Sequence, residues 1–167
     1  MRVHASLEVI RTPRLTLEPL TVAHAAAMFE VLSDPAIYPY LDYPPPPSLE
    51  HLQRVYTQLE RRRSPDEREI WLNWIVIRDA PIGFIQATIR GEDADVAYVL
   101  GSAHWGQGYA FEAMTAMLEH LAASYGVCRF FATVEEQNER SIRLLERLGF
   151  RPTEGRDLSP TERLFVR

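Results

Sequence analysis

Apolar and polar residues alternate along Arg14 to Leu20 (RLTLEPL), the period of a half-buried strand. From Thr21 the spacing changes. Ala25, Met28, Phe29 and Leu32 fall on one face of a helix that the Thr21 hydroxyl caps and Asp34-Pro35 ends. Tyr38 to Pro47 (YPYLDYPPPP) follows, a tyrosine-rich stretch whose four consecutive prolines impose an extended polyproline conformation. Ser48 then caps a second helix with Leu49, Leu52, Val55, Tyr56 and Leu59 inward, and Arg61, Arg62 and Arg63 stand near its end, where cations suit the helix dipole. Between Ile70 and Gly101 the period is that of strands, broken at Arg78-Asp79-Ala80-Pro81 and Arg90-Gly91-Glu92-Asp93. That pattern predicts a three-stranded antiparallel meander. A helix with Ala110, Ala113, Met114, Met117, Leu118 and Leu121 on one stripe comes next and stops at Gly126. Val127 to Val134 (VCRFFATV) reads as a strand. The last helix carries Ile142, Leu144, Leu145 and Leu148 and closes at Gly149, with Phe150 folding back on its final turn. The tail from Pro152 to Arg167 adds another strand through TERLFVR.

Composition narrows what such an α+β chain can be. A length of 167 residues with 46% hydrophobic positions suits one core, so residues 1–167 are expected to form a single domain. The formal net charge of -5 and the dispersed basic residues exclude the footprint of a nucleic-acid binder. Cys128 is the only cysteine, which leaves no disulfide framework and no zinc spacing and fits a reducing, cytoplasmic setting. No apolar run approaches membrane-spanning length, and the N-terminus lacks the pattern of a cleaved leader. A soluble protein with no membrane partner is expected.

Candidate chemistry concentrates in LGSAHWGQGYAFEAM, Leu100 to Met114. An ATPase phosphate loop would end in Gly-Lys-Ser/Thr, but here the loop ends Gly108-Tyr109-Ala110. A dinucleotide fingerprint starting at Gly106 and Gly108 would place a third glycine where Phe111 stands, and it would follow a parallel unit instead of a meander. What remains is a strand feeding a glycine turn that opens a helix. Free backbone amides and the positive end of the helix dipole converge there, a site for a diphosphate. A tight strand-to-helix turn with no ligand explains the glycines almost equally well.

The loop in its context resembles the GNAT superfamily of N-acetyltransferases. The family signature Gln/Arg-x-x-Gly-x-Gly/Ala falls on Trp105-Gly106-Gln107-Gly108-Tyr109-Ala110, with Trp105 in place of the usual Gln or Arg. Trp-Gly-x-Gly-Tyr-Ala followed by Glu112-Ala113 looks like the RimJ/RimL branch, the ribosomal-protein N-terminal acetyltransferases. A second motif of that branch falls on Asn138, Ser141 and Leu148-Gly149-Phe150. The opening TPRLTLEPLT is similar too, although Glu18 stands where an arginine is common. The resemblance implies a mixed, mostly antiparallel twisted sheet whose central strands splay apart, with helices on both faces.

The same resemblance implies roles. Acetyl-coenzyme A would lie in the splay as co-substrate, with no metal. The backbone of Val99, Leu100 and Gly101 would pair with its pantetheine arm, while amides of Gly106, Gln107, Gly108, Tyr109 and Ala110 hold its pyrophosphate beside Trp105. An N–H near Leu100 would stabilise the oxyanion of the tetrahedral intermediate. Asn138 would bind the cofactor arm, although by itself it reads as a helix cap; Ser141, one turn along, would protonate the departing thiolate. Many GNAT enzymes use a tyrosine a further turn on, where this chain has Leu145. Asp95 matches the position of a family glutamate base, and reads equally well as an exposed carboxylate in the acidic stretch Glu92-Asp93-Ala94-Asp95.

The acceptor would sit against the N-terminal half, with Tyr38, Tyr40, Tyr43 and the prolines as a stiff rim; a loop packed by its own tyrosines is the plainer account of those residues. An α-amine with pKa about 7.7–8.0 is about a fifth neutral near pH 7.3, whereas a lysine near 10.4 is neutral about once in a thousand, a gap of roughly 3–4 kcal/mol. A weak or water-mediated base therefore suffices for α-amines. The expected reaction is direct attack by a peptide or protein N-terminal amine in a ternary complex, Cys128 being a poor nucleophile. A small amine such as a polyamine, amino acid or aminoglycoside-like compound is one rival acceptor, and a non-catalytic coenzyme A sensor is a rival from another class. His104 and the other histidines show no partner in the sequence. Exposed strand edges of this family often pair, which leaves a homodimer open.

Overall fold

The computed structural model of the chain describes residues 7–155 and 157–167. Its centre is an eight-stranded sheet, in the order β1-β2-β3-β4-β5-β6-β8-β7. The strands are β1 (Ile10–Arg11), β2 (Thr16–Pro19), β3 (Ile70–Arg78), β4 (Ala80–Arg90), β5 (Asp93–Leu100), β6 (Arg129–Glu135), β7 (Arg151–Thr153) and β8 (Glu162–Val166). Every neighbouring pair is antiparallel except β5 and β6, which run parallel. Among the described residues four α-helices cover it: α1 (Ala25–Leu32), α2 (Leu49–Leu59), α3 (Tyr109–Tyr125) and α4 (Glu139–Arg147).

Alternation along the strands divides the core into two clusters. Leu72, Trp74 and Val76 of β3 pack with Ile85, Ala87 and Val96 against Met114, Met117 and Leu121 of α3 and Leu145 of α4. Ile75 and Val99 join Met28, Leu32, Leu52 and Tyr56 from α1 and α2 in the other cluster. The period-2 pattern of the meander thus assigns α3 and α4 to one layer and α1 and α2 to the other.

Local signals behave as the residue types require. Asp34 accepts from the Ala36 amide at 3.0 Å as α1 ends, Ser48 Oγ accepts from the His51 amide at 3.1 Å, and Gly126 and Gly149 take left-handed φ values of 66° and 87°. The Phe150 amide returns to the Leu145 carbonyl at 2.9 Å. Several expectations need correction. Thr21 opens a short turn, Val22–His24, before α1 begins. Val55 is left partly uncovered at 38% exposure, while Leu52 and Tyr56 carry the buried stripe of α2. That helix ends at Leu59, so Arg61, Arg62 and Arg63 lie in the turn beyond it, with Arg62 left-handed at φ 62°. β1 and β7 are additions to the expected strands, and β8 inserts between β6 and β7. Edge pieces of two or three residues are too short to show a period.

Gly83 is a positioning device that the sequence does not advertise. An extra residue at Ile82 makes a bulge where β4 passes Val76 and Ile77 of β3. A Cβ on Gly83 would lie 2.1 Å from the Val99 carbonyl oxygen and 2.8 Å from Leu100 Cα. Only glycine lets β4 approach β5 this closely at the end of the strand.

Candidate active site

The parallel pairing of β5 and β6 covers only Asp93–Asp95 against Arg129–Phe131. Beyond that, β6 stays with β8, while Val96 to Leu100 of β5 stays with β4 and has no strand on its other side. The two strands part into a gap. The Gly101 amide is bonded to the Ile82 carbonyl at 2.9 Å. By the alternation of an antiparallel ladder, Val99 also turns its amide to β4, and Tyr98 and Leu100 turn theirs to the gap. Of Val99, Leu100 and Gly101, Leu100 alone turns its amide to the gap, as Tyr98 does. The Leu100 carbonyl accepts from Trp105 Nε1 at 2.9 Å, which anchors the indole beside the gap.

From Leu100 the chain turns through Ser102–His104 and reaches the glycines. Gly106 has φ 74°, and Gly108, the residue capping α3, has φ 83°. Both values favour glycine strongly. A Cβ at Gly106 would touch nothing within 4 Å, so the space above it is open. The first amides of α3, from Tyr109 and Ala110, have no partner inside the helix and carry its positive dipole end. The Tyr109 side chain is buried, with the Arg14 guanidinium 4.6 Å from its ring centre.

Glu112, which in the sequence is only part of a motif, fastens this corner. Its carboxylate accepts from the Thr12 hydroxyl at 2.6 Å, the Arg14 amide at 2.8 Å and Arg14 Nε at 2.7 Å. Arg14 Nη1 then donates to the Gln107 carbonyl at 2.8 Å. Burial pushes the Glu112 carboxyl up, but the bonds from Thr12 and Arg14 outweigh it and hold it below its usual range. A second clasp joins the end of α1 to the loop: Asp34 accepts from the Ser102 amide at 2.8 Å, and its bonds to Ser102 hold its carboxyl low.

A cavity of about 550 Å³ lies between the glycine loop and α4. Arg140, Arg143 and Arg147 line it from the helix. The Arg140 guanidinium stacks 3.3 Å over the Trp105 ring, Arg147 lies 4.6 Å over Phe111, and Arg143 pairs with Glu139 at 2.8 Å. Sequence reasoning missed these arginines, although their spacing of three and four residues puts them on one helical face. His104 also lines this cavity, half-buried.

A smaller cavity of about 160 Å³ continues from it past Leu100 and Trp105 to Asn138 and Ser141. Asn138 Oδ1 accepts from the Ser141 amide at 3.2 Å, so the cap exists and both side chains still face the cavity. The Tyr98 hydroxyl donates to Ser141 Oγ at 3.2 Å, a contact that sequence reasoning did not foresee. Burial pushes the Tyr98 phenol up, against opposing effects of Ser141 and Arg140, which keeps it a donor. Leu145, where many relatives have a tyrosine, is buried.

On the far side the gap opens into a cavity of about 270 Å³ lined by the carboxyl-bearing Asp42, Glu135 and Glu162 and by no arginine. Asp95 is not among its lining residues. Its carboxylate is ion-paired with Arg90, which also bonds Glu69 at 2.5 Å, in a network across the β4–β5 turn. Tyr40 and Tyr43 stand exposed at the mouth, whereas Tyr38 donates to the Leu32 carbonyl at 2.5 Å and packs edge-on against Tyr43. The loop is in part held by its own tyrosines. Two histidines have partners after all: His24 Nε2 meets Glu18 at 2.9 Å, and His120 packs edge-on against Trp74 and Tyr125. Cys128 is exposed and lines none of these cavities. Among the described residues no group of three or more His, Cys, Asp or Glu is placed to hold a metal, and no helix is long and apolar enough to cross a membrane.

A splayed β5–β6 pair, a glycine loop at a helix start and helices on both faces of the sheet define an acetyltransferase of the GNAT type. The Acetyltransferase (GNAT) domain family matches residues 14–151, and the chain belongs to that family. Among curated relatives it is 26% identical over 147 residues to the uncharacterized N-acetyltransferase p20 of Bacillus licheniformis, covering 86% of this chain and 83% of the relative. An acetyltransferase structure from Thermus thermophilus is 26% identical with a TM-score of 0.72, covering 96% of this chain and 99% of that one. The fold is shared more closely, at a TM-score of 0.82 but 17% identity, with RimL, a ribosomal L7/L12 alpha-N-protein acetyltransferase in complex with coenzyme A, over 96% of this chain and 97% of that one. The protein is an enzyme, a GNAT N-acetyltransferase.

Proposed function

We propose that this enzyme moves acetyl from acetyl-coenzyme A to the N-terminal α-amine of a peptide or protein, as a cytoplasmic member of the RimJ/RimL-like branch. The observation that carries the reading is the opposed charge of the two ends of the gap. Arginines of α4 and the bare amides of the glycine loop flank one end; Asp42, Glu135 and Glu162 line the other. The first end fits the phosphates of coenzyme A, and the second draws an ammonium group. Tyr98, Asn138 and Ser141 lie between them, where thioester and amine would meet.

In this reading the pyrophosphate rests on the amides of Gly106 to Ala110, with Arg140, Arg143 and Arg147 around the rest of the nucleotide. The pantetheine arm extends β5 through Leu100 and Tyr98 and meets Asn138. The neutral amine attacks the thioester carbonyl, and the Leu100 amide stabilises the resulting oxyanion. Collapse breaks the carbon–sulfur bond and expels a thiolate. Ser141 donates a proton to the sulfur, the Tyr98 hydroxyl resupplies Ser141, and solvent, which takes the amine's proton, reprotonates Tyr98. The amine's own proton leaves to water, because an α-amine near neutral pH needs no strong base.

Incubation with acetyl-coenzyme A and two panels, one of short peptides and one of small amines, tests the reading by mass spectrometry. Acetylated peptide N-termini are expected. Exclusive modification of polyamines, amino acids or aminoglycosides would overturn the acceptor class; tight coenzyme A binding without transfer to any amine would make the protein a sensor.

A further inference from the structure

Behind the acceptor side lies another cavity, of about 470 Å³, between α1, α2, the proline run and the sheet. It adjoins the acidic cavity: Tyr43, Phe84 and Gln86 line both. Its walls are apolar, made by Leu20, Leu32, Leu52 and Leu59 with Pro44 to Pro47 as the roof. Phe84 is the cross-strand partner of Val99, and Asn73 that of Gln86. At about 4.8 Å per strand, the cavity floor begins one strand from the gap and ends two strands away. A side chain attached to an amine at the thioester would span that distance.

One polar group in this apolar space has no partner among the described residues. The Tyr56 hydroxyl is buried with no hydrogen bond, on a residue only 3% exposed. Burial, reinforced by the nearby Tyr38 and Tyr43 phenols, pushes the Tyr56 phenol up, so it stays a donor. Buried polar groups are almost always satisfied, and one left open beside a ligand-sized cavity points to a ligand that completes it.

We propose that this cavity seats the acceptor's own side chain and selects amines bearing a large aromatic group with a hydrogen-bonding tip. The shared chemistry is an aromatic ring near a primary amine, as the first residue of a peptide or as a free arylalkylamine. This specificity rests on the acetyl-transfer reading above but is measured separately from it. Peptides identical except for Ser, Leu, Phe or Tyr at the first position, together with phenethylamine and tyramine, are titrated into the coenzyme A-loaded protein by calorimetry and assayed for kcat/KM with acetyl-coenzyme A.

Phe and Tyr peptides are expected to bind and react at least about tenfold better than Ser, the scale of apolar pocket discrimination, with Tyr ahead of Phe. Tyr56→Phe is expected to erase the Tyr-over-Phe advantage and keep the Phe-over-Ser one. Val55→Trp, at an exposed position on the cavity wall, is expected to reduce the Phe-over-Ser ratio toward one. Ser peptides that bind as well as aromatic ones, with no binding of phenethylamine or tyramine, would overturn the proposal even if every peptide is acetylated. Aromatic-selective binding lost in Val55→Trp without any transfer would uphold the pocket and remove the transferase reading. A preference confined to phenethylamine and tyramine upholds the pocket and assigns it to free amines.

Discussion

At the scale of single residues, the catalytic argument turns on one contact, the Tyr98 hydroxyl on Ser141 Oγ. Tyr98 acts through Ser141, so it is a positioning residue. Ser141→Ala is expected to lower kcat about 100-fold with little change in KM for acetyl-coenzyme A. Tyr98→Phe should cost less, and the double variant should be no worse than Ser141→Ala alone. Steady-state kinetics on the three variants checks this; losses that multiply would show that the two hydroxyls act independently. Ser141 and Asn138 were legible because a cap and a helical turn fix their relative placement from sequence alone. Tyr98 was not, since an aromatic residue in an alternating strand reads as core. The pairing of Asp95 with Arg90 was not legible either, because it closes across a turn that the linear pattern does not display.

At the scale of elements, the start of α3 depends on a segment about a hundred residues earlier in the chain. Glu112 binds Thr12 and Arg14, and Arg14 binds the Gln107 carbonyl of the glycine loop. The folded-state carboxyl is held below its ordinary value of 4.5, so the unfolded chain takes up its proton first as pH falls. The clasp therefore contributes fully above about 4.5 and is lost as pH drops through the lower folded value. Glu112→Gln is expected to cost about 1–2 kcal/mol near pH 7, allowing for the partial exposure of Arg14. Urea unfolding should show the gap between wild type and variant closing as the pH is lowered below 4.5. A gap that stays constant would rule out the carboxylate as its source. The long elements were readable in advance: the meander from its turns, and α2 and α4 from their caps. β1, β7 and the bulge at Ile82 were not, because two or three residues carry no period and Gly83 is required by a neighbouring strand.

At the scale of the whole molecule, one departure from regular pairing produces the site. β5 follows β4, β6 follows β8, and the sheet opens where the glycine loop, α4 and the N-terminal half converge. The composition said little about the polarity of that opening, because the net charge of -5 averages over both ends. The chain also has a property that simplifies its study. All 18 of its basic side chains are arginines, so it has no lysine of its own to acetylate. The most direct measurement uses one peptide that carries both a free N-terminus and an internal lysine, treated with enzyme and acetyl-coenzyme A and mapped by tandem mass spectrometry. Acetylation at the α-amine alone, dependent on enzyme, is the predicted result; acetyl on the lysine, or on neither amine, would contradict the account.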